Sequence, residues 1–269
     1  MPVLSRISIA PVKGLRLLHP HAVDLDASGI PTDRRFFLVG ERDELVDATD
    51  HGKLLGVVPD YEPEHERLRL VFPDATVVEG PADRLGSPVV TDVYGRPAEG
   101  RRLVGPFDVA LSELAGRPIG IVRADRDGTA QDAHALTVVS RASVRDLGVR
   151  GGRGEDLDAR RFRINLEVEG TEPYEEDTWA RRPVRIGDAT IHVLGQIPRC
   201  VVTTLEPDTG EKDFATLTVI ARYRPRIGGR GGLPFGMYAE VARPGTVRVG
   251  DEVKPVSATR AGRTAAGGR

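Results

Sequence analysis

Residues 195–210 of the chain read GQIPRCVVTTLEPDTG, and Cys200 within this stretch is the only cysteine among 269 residues. Pro198 and Arg199 precede the cysteine, and a run rich in Val and Thr at 201–205 follows it and predicts a β-strand. A positive charge beside a strand end favours the thiolate form of a thiol. Such a thiolate suits a soft metal or nucleophilic attack, whereas the alternative is an inert cysteine packed as a small hydrophobic residue.

Short β-like runs separated by turn residues fill the rest of the chain. The 31 Gly and 20 Pro residues suit many tight turns better than long helices. Two short helices are expected, one at 108–114 ending at Gly116, and one beginning after the N-cap Ser140 and ending near Gly148. We therefore predict a mainly β fold with a few short helices, of barrel or sandwich type. The predicted strands are residues 3–11, 35–39, 68–72, 118–123, 136–139, 162–168, 189–194, 201–205, 237–241 and 246–249.

A loop-rich zone at residues 124–133 predicts a division into two units. The first is expected at residues 1–115 and the second at 116–257, each large enough to bury a core. Residues 258–269 are small or basic, and we expect them to form a flexible tail.

Composition restricts the classes of partner. The 38 basic and 40 acidic side chains give a formal net charge of -2, which does not indicate a nucleic-acid or membrane partner. No apolar run is long enough for a transmembrane helix, and one cysteine cannot form an internal disulfide, so a cytoplasmic location is expected. The sequence has no C-x-x-C, H-E-x-x-H or G-x-S-x-G motif, which argues against zinc and serine-hydrolase chemistry.

Several basic side chains near predicted strand ends are candidates for binding an anion. They are Lys13 in PVKGL, Arg34 in DRRF, and Arg163, which lies beside Asn165 in RFRIN. Arginine presents a fork of donors that can hold a phosphate at two points, but each residue could equally be a solvated charge. The glycine-rich segment at 228–232 does not match a nucleotide-binding loop, and we expect a flexible surface loop that could carry Arg226 and Arg230 toward an anionic ligand.

Seven segments taken in order resemble the MOSC family, and within it the amidoxime-reducing component proteins. They are PVKGL (11–15), GIPTDRRFFLV (29–39), VVSRASVRDL (138–147), RFRINLEVEG (161–170), EEDTWARRPVRIGDATIHV (175–193), PRCVVTTLEPDTGE (198–211) and FGMYAEVARPGTVRVGDEV (235–253). The resemblance implies two packed domains. The first is the β-rich MOSC N-terminal domain, which is itself a β-barrel in the family, and the second is the MOSC β-barrel. It also implies a bound molybdenum–molybdopterin cofactor.

The resemblance also implies roles for individual residues. Cys200 would ligate molybdenum. From its position just beyond the predicted ligand strand, and not from the resemblance, Asp208 is a candidate proton relay, although a turn-forming role in PDTG is the simpler interpretation. The positions implied to contact the cofactor are Lys13, Gly14, Arg34, Ala133, His134, Arg163, Asn165, Pro198 and Arg199.

Four positions depart from the family pattern. Gly14 stands where serine is common, Ile164 replaces a proline, His134 replaces a smaller residue, and Pro198 stands where Ser or Glu is frequent. These changes leave the implied metal ligand in place but affect the residues around it.

Three functions follow from the resemblance. The first is a molybdenum-dependent oxidoreductase that reduces N-hydroxylated small molecules. Because one cysteine cannot hold a four-cysteine iron–sulfur cluster, its electrons would come from a separate donor, a ferredoxin or a reductase. The second is a cofactor carrier or sulfur-transfer protein with a persulfide on Cys200. The third is a binding module that has lost its metal.

Overall fold

The computed structural model describes residues 1–256, so the predicted tail at 258–269 lies outside the described residues. The described residues form four β-sheets and three α-helices, which confirms the mainly β fold. The strands are β1 Val3–Ile7, β2 Ala22–Leu25, β3 Phe36–Val39, β4 Leu45–Val46, β5 Val58–Glu62, β6 Arg67–Val71, β7 Val77–Pro81, β8 Leu85–Asp92, β9 Pro97–Leu103, β10 Gly120–Ala124, β11 Leu136–Ser140, β12 Leu166–Glu169, β13 Pro183–Ile186, β14 Ala189–Arg199, β15 Leu233–Arg243, β16 Gly245–Arg248 and β17 Val253–Pro255. The α-helices are α1 Phe107–Ala115, α2 Arg141–Arg150 and α3 Thr216–Ala221.

The largest sheet is a nearly closed barrel. Its seven strands follow the order β1-β12-β11-β15-β14-β13-β17. The two ends of this order meet, because Val3 pairs with Glu252 and the amide of Leu4 donates to the carbonyl of Asp251 at 2.8 Å. Side chains that fill its interior include Leu4 and Val138 from the strands and Trp179 from the 3₁₀ turn Glu175–Trp179, each at most 2% exposed. Closing the sheet pairs the backbone N–H and C=O groups of its edge strands and encloses this apolar core.

The first half of the chain contributes two further sheets. Five strands pair in the order β4-β3-β10-β9-β8, and three pair in the order β5-β6-β7. Their shared core includes Phe36, Leu70 and Phe107, all fully buried, and α1 packs against it. Burying side chains of this size stabilises the fold by roughly 1.5–3 kcal/mol each.

Strands from the beginning of the chain also join strands from its end. Strand β1 belongs to the barrel, and β2 pairs with β16 in a two-stranded sheet. The predicted division at about residue 115 stays a prediction. Among residues 1–256, the structure shows no helix of the length and apolarity that a membrane crossing requires.

The two predicted helices are confirmed, but the predicted end of the second is wrong. The hydroxyl of Ser140 accepts bonds from the amides of Ala142 and Ser143, as an N-cap does. Helix α2 nevertheless continues through Gly148 to Arg150. Gly148 serves close packing instead, because a Cβ atom there would collide with the carbonyl oxygen of Gly154.

The predicted strand at 201–205 is also wrong. Residues Val201–Thr204 form a 3₁₀ turn, in which the hydroxyls of Thr203 and Thr204 donate to the carbonyls of Cys200 and Val201 at 3.0 and 2.7 Å. These local bonds compete with strand pairing, although Val and Thr favour strands in general. The chain therefore turns immediately after Cys200.

A buried carboxyl group beneath α2 gives a first testable prediction. Glu176 is 1% exposed, its nearest side-chain partner is the hydroxyl of Ser143, and burial raises its pKa to about 7. Because this pKa exceeds that of the unfolded chain, the stability associated with the group is complete at acidic pH and is lost as pH rises through about 7. We expect the melting temperature of the wild type to fall more between pH 5 and 8 than that of Glu176→Gln.

Thermal unfolding followed by circular dichroism at several pH values measures this difference. Glu172→Gln is the matched control. It makes the same substitution at an exposed glutamate close to Glu176 in sequence, and so it removes an acid that is not buried. Parallel curves for the wild type and Glu176→Gln would contradict the prediction.

Candidate functional site

A narrow cleft gathers residues from both halves of the chain. Five residues singled out from the sequence line it: Lys13, Gly14, Arg34, Arg163 and Cys200. The remaining lining residues are Asp47, Ala48, Thr49, Tyr94, Asp132 and Val202. The cleft therefore combines a thiol with several charged groups.

Backbone pairing explains why Lys13 and Arg34 lie together. The amide of Arg34 donates to the carbonyl of Ala10 at 2.7 Å, and the amide of Lys13 donates to the carbonyl of Phe36 at 2.8 Å. The short segment after β1 thus runs beside the segment that leads into β3. Residues that are 21 positions apart in sequence are brought to one wall of the cleft by these bonds.

Carboxylates compensate the cations in the cleft. The Lys13 ammonium is 4% exposed and forms an ion pair with Asp132, whose side chain is half-exposed. Burial lowers the pKa of Lys13, while Asp132 opposes this shift. Burial alone would raise the pKa of Asp132, but the charges of Lys13 and Arg34 outweigh it and hold that pKa well below its usual range. Asp132 is therefore charged at neutral pH, and its negative charge favours the protonated form of Lys13.

Arg34 and Arg163 form the inner wall of the cleft, and both have left-handed backbone conformations, with φ of 56° and 52°. Arg34 forms a buried ion pair with Asp33, and Arg163 donates to the carbonyl of Leu15 at 2.7 Å. Burial and the nearby Arg34 lower the pKa of Arg163 to about 10, so it remains a cation at pH 7. Two guanidinium groups held by backbone and carboxylate contacts form a fixed set of donors for an anion.

The backbone conformation at position 14 favours glycine. Its φ of 90° is in the region that favours glycine, and a Cβ atom would lie 3.2 Å from Cα of Asp47. Serine at this position would be strained, which accounts for the departure from the family pattern.

Cys200 lies at the end of β14 and is exposed. The preceding Arg199 is anchored to the carbonyls of Phe235 and Phe162 at 2.7 and 3.0 Å. Its Nη2 atom is buried and has no hydrogen-bond partner among the described residues. Burial lowers the pKa of Arg199 to about 10, which still leaves it charged at neutral pH. Arg199 is not among the residues that line the cleft, and an unpaired buried donor such as this nitrogen is costly.

Comparison with known proteins identifies the second half of the chain. The model of the MOSC domain family matches residues 125–254. A MOSC domain is therefore found at residues 125–254, just under half of the chain. Cys200, Arg163 and Asp132 all lie within the matched segment, while Lys13 and Arg34 precede it.

Related proteins have names connected with molybdenum and amidoximes. Molybdenum cofactor sulfurase from Oryza sativa subsp. japonica is 28% identical over 261 residues, which cover 84% of this chain and 31% of that protein. Mitochondrial amidoxime-reducing component 1 from Mus musculus is 35% identical over 154 residues, which cover 55% and 44%. Mitochondrial amidoxime reducing component 2 from Bos taurus is 26% identical over 283 residues, which cover 93% and 82%. The chain thus spans less than half the length of the first two relatives.

The solved structures that match this chain have lower sequence identity than these relatives. The YUAD protein from Bacillus subtilis has a TM-score of 0.45 and 13% sequence identity, with 95% of this chain and 96% of that chain covered. YiiM from Escherichia coli has a TM-score of 0.35 and 18% identity, with 51% and 59% covered.

Other residues implied by the resemblance lie outside the lining of the cleft. Ala133 and His134 are exposed beside Asp132, and the ring of His134 packs on Tyr238 with centroids 4.9 Å apart. Pro198 is exposed on β14 of the MOSC domain. These three residues flank the cleft without lining it.

Asn165 is also absent from the lining, because its side chain joins structural groups. Its amide donates to the carbonyl of Ser8 and the carboxylate of Asp33 at 3.2 and 2.9 Å. Asn165 thereby positions the Asp33–Arg34 pair from behind the cleft.

Asp208 lies in a separate ion-pair network. Both of its carboxylate oxygens accept bonds from Arg160, at 2.8 and 2.7 Å, and Arg16 lies 3.2 Å away. The bond from Arg160 is the main cause that lowers the pKa of Asp208. Its predicted role as a proton relay stays a prediction.

Sequence reasoning missed Asp47 and Tyr94 as lining residues. Tyr94 lies in the turn between β8 and β9, and its hydroxyl donates to Asp47 at 2.5 Å, while Lys13 lies 5.1 Å from the centre of the Tyr94 ring. The Tyr-Gly pair at 94–95 signals a hairpin turn, but a turn does not reveal that it faces a cysteine about 100 residues later.

The Lys13–Asp132 pair gives a second prediction. Asn in place of Asp132 removes a negative charge that competes with any anion for Lys13. We expect Asp132→Asn to bind inorganic pyrophosphate about three- to tenfold more tightly, as measured by titration calorimetry. Asp127→Asn is the control, because Asp127 lies in the same loop and pairs with Arg35 outside the cleft. Equal or weaker binding by Asp132→Asn would contradict this interpretation.

Proposed function

We propose that the protein binds a molybdenum cofactor in this cleft and reduces N-hydroxylated small molecules. The single observation that carries the proposal is that Lys13, Arg34 and Arg163 line the same cleft as the exposed Cys200. The names of the amidoxime-reducing relatives support the choice of substrate class.

The residues present fit such a cofactor. The three basic side chains that line the cleft suit a phosphate group, while Arg199 lies outside the lining and is bonded to two backbone carbonyls beside Cys200. Among residues 1–256, no cluster of three or more His, Cys, Asp or Glu side chains could hold a metal ion. Cys200 would therefore act as a single soft protein ligand, with further ligands supplied by the cofactor.

Each residue has a defined part in this proposal. Lys13 and Arg34 would hold the anionic end of the cofactor, and Arg163 would neutralise charge beside it. Arg199 would orient Cys200 through its bonds to two backbone carbonyls. The molybdenum cofactor, when bound, would supply two-electron redox chemistry. These side chains provide binding and orientation, as a protein does for any resident cofactor.

The overall reaction balances with an external electron source. An N-hydroxylated substrate accepts two electrons and two protons, its N–O bond breaks, and the products are the reduced nitrogen compound and water. Electrons come from a separate electron-transfer protein, and protons come from solvent at the open cleft.

Turnover by protein purified from a molybdenum-replete host tests this function. We expect reduction of benzamidoxime to benzamidine with dithionite-reduced viologen as the artificial donor. Bound molybdenum without any turnover would contradict the reductase proposal and favour a carrier.

Sulfur transfer is the second candidate. It is favoured by the exposure of Cys200 and by the 28% identity to a molybdenum cofactor sulfurase over 84% of the chain. In this reaction the Cys200 thiolate would take the outer sulfur of a donor persulfide, and the donor would leave as a thiolate. A mass increase of one sulfur atom on Cys200, found by intact-mass spectrometry after incubation with a persulfide donor, would support it. An unchanged mass would contradict it.

A further inference from the structure

A basic surface lies between α3 and β15. We define the basic edge as Arg222, Arg226 and Arg230, all of which are exposed. None of the three forms a salt bridge within the described chain, and only Arg226 has a side-chain bond, to the carbonyl of Gly231 at 3.1 Å. Since the whole chain has a net charge of -2, this positive charge is a local excess.

Nearby acidic groups do not neutralise the basic edge. Asp146 pairs with Arg150 and Asp177 pairs with Arg224, each at 2.5 Å. These carboxylates are therefore occupied by two other arginines. Apart from the bond of Arg226 to the carbonyl of Gly231, the guanidinium groups of the basic edge have no partner within the described chain.

The segment that carries the basic edge leads directly into β15, which pairs with the strand that ends before Cys200. A Cβ atom at Gly232 would lie 2.5 Å from Cβ of Pro198, and Leu233 pairs with Arg199 across β14 and β15. Pro198 and Arg199 immediately precede Cys200, which is itself exposed. The residues that directly follow the basic edge therefore pack against the two residues that precede the thiol.

The arrangement suits a broad acidic surface better than a small anion. A small anion is held by converging, buried donors, such as Lys13 and Arg34 in the cleft. The arginines of the basic edge are instead spread over nine residues of an exposed segment. Weak electron-transfer complexes have small interfaces, and complementary charges steer the partners together.

We propose that the basic edge is the docking surface for a small acidic electron-transfer protein. This inference rests on the proposed reductase function, which needs two electrons from outside the chain for each N–O bond cleaved. Two reduced one-electron carriers, such as [2Fe–2S] ferredoxins, would each be oxidised once per turnover. The released oxygen leaves as water with two protons from solvent.

The test uses an acidic plant-type [2Fe–2S] ferredoxin as the probe. The variant is Arg222→Glu/Arg230→Glu, and the control is Arg84→Glu/Arg185→Glu, which makes the same charge change at two exposed arginines on other strands or loops. We expect the dissociation constant, measured by titration calorimetry at low salt, to rise at least about tenfold in the variant and to change little in the control. Added salt should weaken binding of the wild type more than binding of the variant.

Turnover with two electron sources separates docking from chemistry. In the variant, kcat/KM for reduced ferredoxin should fall about tenfold, while the rate with dithionite-reduced viologen should stay unchanged. Equal ferredoxin binding by the wild type and the variant, or no binding by the wild type, would overturn the inference. A higher KM for an anionic substrate with the artificial donor would overturn it in favour of substrate recognition. Absence of turnover with the artificial donor would contradict the proposed function alone, since the binding titration still tests docking.

Discussion

Replacing Cys200 with serine is expected to lower the rate of benzamidoxime reduction by on the order of 1,000-fold, which corresponds to about 4 kcal/mol. The physical reason is that a serine hydroxyl is a hard, weakly acidic ligand, whereas the proposed metal prefers a soft thiolate. Steady-state assays with dithionite-reduced viologen measure the change. The effect should be on kcat, because the cations that bind the cofactor remain in place.

Stability measurements separate this effect from misfolding. Cys200 is exposed, so the melting temperature of Cys200→Ser should stay within a degree or two of the wild type. Val202→Ala is a control in the same turn, because it truncates a lining side chain of the cleft without removing the thiol. A Cys200→Ser protein that kept a tenth or more of the wild-type rate would contradict the proposed role of the thiol.

Replacing Asp33 with alanine is expected to lower the free energy of unfolding by about 3–5 kcal/mol. Asp33 is 1% exposed, accepts a bond from the amide of Ala10 at 2.7 Å, and pairs with Arg34. It also accepts the bond from Asn165 at 2.9 Å. Removing this carboxylate leaves the Arg34 guanidinium buried without its partner. Urea denaturation gives the free energy directly.

A second substitution shows whether the unpaired cation causes the loss. Asp33→Ala/Arg34→Met should recover part of the stability, because the double variant no longer contains an uncompensated buried charge. Asp26→Ala, which removes an exposed acid in the turn before Gly29, should change the free energy by less than about 1 kcal/mol. A loss below about 1 kcal/mol for Asp33→Ala would mean that this pair does not hold the wall of the cleft together.

The parts of the fold that were predictable from sequence are those with strong local signals. Ser140 caps α2 as predicted, and the apolar residues of β3 and β11 form buried strands. Strands β8 and β9 were missed because Gly, Pro and charged residues interrupt them, and their burial alternates along the strand. Strand β8 tolerates Pro88 because it lies at the edge of its sheet.

The site was predictable only through the resemblance of whole segments. Lys13, Arg34 and Cys200 line one cleft, but nothing in their spacing shows that the backbone pairs the segments that carry them. Asp132 lay in a segment that the resemblance placed near the cofactor, yet its ion pair with Lys13 depends on the folded loop. Partners that meet through tertiary structure leave no local pattern in the sequence.

Ion pairs with carboxylates explain how the protein stays folded with several basic side chains buried around one cleft. Asp33 pairs with Arg34, and Asp132 pairs with Lys13, so buried cations are matched by carboxylates. Burial lowers the pKa of both Lys13 and Arg163, which shows that their positive charge is held at a cost in the structure. Binding of an anion would offset this cost. The free protein is therefore expected to gain stability when the proposed cofactor binds.

The most direct test of the account is the content of molybdenum and pterin in protein purified from a molybdenum-replete host. We expect about one molybdenum and one pterin per chain for the wild type, measured by mass spectrometry of metals and by fluorescence of the oxidised pterin. The pterin content is expected to be unchanged in Cys200→Ser, because the basic side chains that would hold the cofactor remain in place. A wild-type protein that contained neither molybdenum nor pterin would contradict the central claim that this cleft holds a molybdenum cofactor.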